Sequence, residues 1–193
     1  MIGILQSFHA LPNLSLAQEP LPPPPPAKDY FPRLWKDFIS TEGGFKVRYP
    51  GDPKESVEPR SKSTVLHSFW YGSDKFIYYT VNYRDLPNPP ANQTEAREFL
   101  KGERDLRMTG VEGKMKLLSE EEITRDGYPA IILEIQLFGD RRLRELDVIR
   151  GARHYHIMVI TFSNHKAMAT DNAYGEIAKS FLDSFHLIEV APR

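Results

Sequence analysis

The stretch Lys114–Phe162, KMKLLSEEEITRDGYPAIILEIQLFGDRRLRELDVIRGARHYHIMVITF, decides the fold of this 193-residue chain. It carries four strand-like segments separated by Asp126-Gly127, Gly139-Asp140 and Gly151-Ala152-Arg153. Asp-Gly supplies the positive φ angles of a type I′ turn, and a leading Gly suits type II′. Both turns match the right-handed twist of antiparallel strands, so the stretch reads as a four-strand meander. Ile131, Leu133, Ile135 and Leu137 share one face of the second segment. In the fourth, Ile157 and Val159 alternate with Met158, Ile160 and Phe162, the pattern of a central strand covered on both faces.

Upstream, Thr64–Tyr71 and Lys75–Arg84 read as a hairpin across Gly72-Ser73-Asp74. Before it, Trp35–Ile39 and Phe45–Tyr49 flank the turn Thr41–Gly44, and Pro50-Gly51-Asp52-Pro53 stops the second strand. A helix is expected over Thr94–Met108. Asn92 and Glu95 form its capping box, and Ala96, Phe99, Leu100 and Leu106 its apolar stripe. Downstream, Asp171–Phe185 reads as a second helix with Tyr174, Ile177, Ala178, Phe181 and Phe185 inward. His186-Leu187-Ile188 is a short extended end. Hairpin-joined strands cannot form a doubly wound parallel sheet. The expected class is α+β, an antiparallel β-sheet flanked by helices.

The N-terminal region has a different character. Met1–Ala17 is mildly apolar, lacks Lys and Arg, and ends in Ser15-Leu16-Ala17, as a signal-like remnant would. Pro22–Pro26 follows, a stiff polyproline II spacer. Residues 1–29 are therefore expected to be a disordered leader and linker, and residues 30–193 one domain. There is no cysteine and the net charge is −1. Disulfides, thiolate chemistry and cysteine-ligated metals are excluded, and near-neutrality argues against a nucleic-acid partner. No stretch is apolar enough for a transmembrane helix. The expected localisation is extracytoplasmic.

Four quoted segments carry a family resemblance. They are Glu42–Pro50 (EGGFKVRYP), Tyr128–Phe138, Arg153-His154-Tyr155, and Ser180–Phe185 (SFLDSF). Together they resemble the PsbP-like family, whose fold is shared with a Ran-binding nuclear import factor. The resemblance spans roughly Tyr30 to Ile188. It implies an αβα sandwich around an antiparallel sheet, a non-enzymatic role outside the cytoplasm, and no catalytic residue. Photosynthetic members place a Trp soon after the proline that ends the opening strand. This chain has Gly51-Asp52-Pro53 there, a departure that argues against a photosystem role.

Several polar groups are candidate sites. His154 and His156 share a strand face and could hold a metal with Glu134 or Glu145 as third ligand. Otherwise they are half-exposed sheet histidines. Arg141, Arg142 and Arg144 could bind an anionic partner together with Trp70, or be solvated and paired with Glu145 and Asp147. Glu120-Glu121-Glu122 reads as a solvated run. Ser163-Asn164-His165 lacks triad spacing. The aromatics of Phe69–Tyr83 fill the core on one face and await helix cover on the other. No cofactor is implied. The leading expectation is a monomeric, non-catalytic domain that binds a protein or an envelope component. The alternatives are a small-ligand or metal-binding protein built around His154 and His156, and a hydrolase with an unrecognised site. A polar pocket would favour the alternatives; a flat aromatic or arginine patch would favour the first.

Overall fold

The computed structural model describes residues 35–61, 63–73, 77–109, 115–137, 141–161 and 171–189. The linker, the Gly139-Asp140 turn, Phe162, Ser163-Asn164-His165 and the Tyr174 side chain lie outside the described residues.

The meander is present as β6 (Lys116–Arg125), β7 (Tyr128–Gln136), β8 (Arg142–Arg150) and β9 (Arg153–Thr161), each antiparallel to the next. At the first turn Asp126 has φ 50° and Gly127 φ 86°, the two positive angles of type I′. At the last turn Gly151 has φ 57°, as a leading glycine in type II′ requires.

The N-terminal strands are β1 (Lys36–Ser40), β2 (Phe45–Tyr49), β3 (Lys54–Pro59), β4 (Val65–Ser73) and β5 (Ile77–Asp85). β3 lies in a segment left unassigned by its sequence. Its burial is mostly exposed, so it lacks the alternation that marks a half-buried strand. β4 runs through Gly72 and Ser73, which pair with Tyr78 and Ile77, so these two expected turn residues are strand.

β5 docks antiparallel on β9, giving a seven-stranded sheet in the order β3-β4-β5-β9-β8-β7-β6. β1 and β2 form a separate small sheet, joined by β10 (His186–Leu187) at the end of the chain. It lies over one face of the large sheet. Phe45, Val47 and Tyr49 are buried there with Phe69, Tyr79, Tyr83, Tyr155 and Ile157. Helix α2 (Asp171–Ser184) closes the same face through Ile177, Ala178, Phe181 and Leu182, followed by Phe185. Tyr155 donates its hydroxyl to Gly43 O at 2.8 Å, tying the two sheets together.

Helix α1 (Gln93–Thr109) lies on the opposite face, against β7 and β8. Its cap forms as expected at Glu95 N–H, which donates to Asn92 Oδ1 at 3.0 Å. The Glu95 carboxylate reaches one residue further back, accepting from Ala91 N–H at 2.9 Å. Ala96 and Leu100 are buried with Ile131, Leu133, Ile135, Leu143 and Ile149. Leu106, placed in the inward stripe by its apolar character, is instead 70% exposed. The glutamate run holds this helix from the edge strand: Glu120 pairs with Arg104, and Glu122 with Lys101 and Arg97.

Candidate functional site

The inward stripe of α1 continues past Leu100 as Glu103 and Arg107. Residues 96, 100, 103 and 107 follow the four-three-four spacing of one helix face. The stripe turns from apolar to charged where the helix passes over Glu145 and Asp147 of β8. Those carboxylates alternate with Leu146 and Val148, which face α2. Arg142 and Arg144 share the parity of Leu146. They therefore cannot meet Glu145 or Asp147, and the expected pairing within β8 does not occur. Arg142 pairs across the strands with Glu134 at 3.1 Å, which also occupies one of the proposed third ligands.

Arg107 is the partner of both buried acids. Its Nη1 donates to Glu145 Oε1, and its Nη2 to Asp147 Oδ2 at 3.0 Å. His156 Nε2 lies 2.9 Å from the second Glu145 oxygen, and His154 Nε2 lies 2.8 Å from the second Asp147 oxygen. Both histidines do share a face, but their ring nitrogens are committed to different carboxylates. They are also not equally half-exposed: His154 is buried and ringed on one side by Phe99, while His156 is half-buried.

Burial works against charge on Asp147. The positive charge of His156, the hydrogen bond and charge of His154, and Arg107 outweigh it and hold the carboxyl well below the usual range. Burial likewise opposes protonation of His156, but Asp147 and Glu145 overcome it and raise its pKa. Glu145, Asp147 and His156 bring one ligand atom each within 4.8 Å of one another, which is close enough to hold a metal ion. The Arg107 guanidinium already supplies the positive charge at that point, so a divalent cation would have to displace it.

Beside this network α1 ends its cover of the sheet. A cleft of about 460 Å³ opens there, lined by Arg60, Leu66, Asn82, Arg84, Arg107 and the two histidines, with Glu103 on the helix side. Arg84 pairs with Glu103 at 2.8 Å. Further along the same face, Trp70 and Tyr78 stack at 5.6 Å, and Lys54 Nζ lies over the indole, 4.8 Å from its ring centre. The helix cover expected over these two rings is not provided by α1, which lies on β7 and β8.

The proposed partner residues are therefore not brought together. Arg142 and Arg144 face the α2 side on β8, whereas Trp70 faces the α1 side on β4. Arg141 is exposed just before β8. The residues missed in the sequence are Asn82, Arg84, Glu103, Arg107 and the inward role of Asp147. Helix phase carried the signal for Arg107, which lies nearer the centre of the Ala96–Leu100 stripe than Leu106 does.

The fold has solved counterparts. It is similar to cyanobacterial PsbP (CyanoP) from Synechocystis sp. PCC 6803, with a TM-score of 0.54 and 17% identity, covering 79% of this chain and 91% of that one. A Pseudomonas aeruginosa protein of unknown function gives a TM-score of 0.41 at 15% identity, covering 82% and 97%. No protein-family model matches the chain, and no curated protein does. The chain has the PsbP-like α+β fold, as the quoted segments implied. No helix among the described residues is long and apolar enough to cross a membrane.

Proposed function

We propose that this chain is a non-catalytic small-ligand-binding domain that works outside the cytoplasm, with its ligand seated in the cleft beside α1. The observation that carries this reading is the half-covered sheet face. α1 closes the β7–β8 side, and the charged end of its stripe forms one wall of a cavity floored by β5 and β9. A cavity of about 460 Å³ has the size typical of small-molecule sites.

A non-catalytic role is supported by how the ionisable groups are used. Arg107, Glu145, Asp147, His154 and His156 hold one another, and the described residues that line the cleft include no serine, threonine or lysine nucleophile. A broad protein-docking surface made of Arg142, Arg144 and Trp70 is disfavoured, because these residues lie on opposite faces of the sheet. Placement outside the cytoplasm rests on the signal-like Met1–Ala17 and the proline spacer. Recovery of a tagged chain only in the cytosolic fraction of its host would overturn that part.

The binding reading is tested by equilibrium dialysis against a small-molecule extract. The wild type is compared with Leu66→Trp, which fills the cleft from a half-buried position. Enrichment of a compound by the wild type and not by the filled variant is the expected result. Identical retention profiles, with both proteins folded, would overturn it.

A further inference from the structure

Asn82 is the part of the cleft that internal packing does not explain. It lies in register with Ser68 and His156, on the cleft side of the sheet, and is only 9% exposed. No described residue hydrogen-bonds its carboxamide. The amide is open to the cleft rather than sealed in the core, so it can pair with a molecule that enters. It offers two donors and an acceptor.

The groups around Asn82 are mainly donors. Arg84 pairs with Glu103 through Nη2, and a guanidinium has five N–H groups. Arg60 pairs with the exposed Glu58 at 3.3 Å. Arg107 and His156 keep 24% and 23% of their side chains exposed, whereas Glu145 and Asp147 behind them keep 0% and 1%. An entering molecule meets guanidinium, imidazole and amide N–H groups, with Glu103 the one carboxylate among the described lining residues.

From this arrangement we propose that the cleft binds a compact organic oxyanion, a carboxylate or a phosphate ester. Arg84 and Arg60 grip the oxyanion, and Asn82 reads a neighbouring polar group. The guanidinium fork matches both kinds of oxyanion. The volume decides against a bare inorganic ion: about 460 Å³ far exceeds the roughly 30 Å³ share of one water. This inference rests on the ligand-binding reading above and specifies its chemistry.

The test is an NMR titration of the full chain at low ionic strength. The probes are citrate, glucose 6-phosphate, inorganic phosphate and glucose, each taken to millimolar concentration. Saturable shifts of the Asn82 and Arg84 side-chain signals are expected with citrate, with glucose 6-phosphate, or with both. Which of them binds identifies the carboxylate or the phosphate source. Inorganic phosphate and glucose should bind at least tenfold more weakly, and added salt should weaken the response. Arg84→Gln and Asn82→Leu should each weaken binding tenfold or more. Arg60→Gln, at an exposed position, serves as the folded alternative if either fails to fold. Absence of saturable shifts with both organic anions would overturn the inference, as would affinity unchanged in the variants. Glucose binding as tightly as glucose 6-phosphate, and lost in Asn82→Leu, would overturn the oxyanion assignment while leaving ligand binding standing.

Discussion

The two faces of the large sheet are built from the same alternating strands and come out differently. The face under α2 is closed twice, by the helix and by the small β1-β2-β10 sheet. Tyr49, Phe45, Tyr155, Phe181 and Phe185 are fully buried there, with rings in edge, tilted or stacked contact. The face under α1 is closed over β7 and β8, becomes ionic at Glu145 and Asp147, and then opens at β5 and β4. The contrast fits the roles proposed for the two faces. A doubly covered face can be wholly apolar and serves stability. A half-covered face needs a boundary, and polar groups at that boundary are partly dry and can be offered to a ligand.

The largest effect should come from the closed face. Phe181→Ala removes a fully buried ring and should cost roughly 3–5 kcal/mol in urea unfolding. A loss under 1 kcal/mol would mean that this face is not the main core.

Next is the boundary. Arg107→Ala leaves two buried carboxylates without their shared guanidinium and should cost about 2–3 kcal/mol, less than a fully dry pair because Arg107 keeps some water. A neutral result would show that the acids find other partners. The same variant could then be assayed for a divalent cation in the vacated place.

The boundary should also respond to pH. His156 is raised in the folded state above its unfolded pKa of about 6.5, so its contribution is complete below that pH and is lost as pH rises through the raised value. Asp147 is lowered, so its contribution is present above about pH 3.9 and is lost as pH falls towards the folded value. The stability advantage of wild type over His156→Gln should therefore be larger at pH 5 than at pH 8.5. An equal advantage at both would remove the charge from the account.

Two smaller effects sharpen the comparison from outside both faces. Gly127→Val places a β-branched residue at φ 86° and should cost about 1 kcal/mol or more, through backbone strain alone, since no atom lies near a Cβ there. Lys179→Ala, on the solvent side of α2 in a pair with Asp183, should change stability by less than about 0.5 kcal/mol. A larger change would mean that the helix is turned differently.

The sequence by itself determined the local and periodic features. The Asp126-Gly127 and Gly151 turns are legible because few residues tolerate positive φ. The Asn92–Glu95 cap follows from side chains that satisfy free N–H groups. The shared faces of Ile131–Ile135 and of His154 with His156 follow from strand alternation, which also supported the PsbP-like fold class. Tertiary structure decided what covers each face. The docking of β9 on β5 joins segments separated by a helix and three strands, and no local pattern encodes that choice. β3 takes its strand geometry from pairing with β4, since its own residues are mostly exposed and carry no alternation. Arg107 turns inward because Glu145 and Asp147 lie beneath it. Leu106 turns outward although it is the more apolar residue, because a helix has one phase and Ala96 and Leu100 set it. Asn82 shows the same division. Its residue type says only that it is polar. Its place at the rim of a cleft, with no partner for its amide among the described residues, is a property of the assembled sheet and helix.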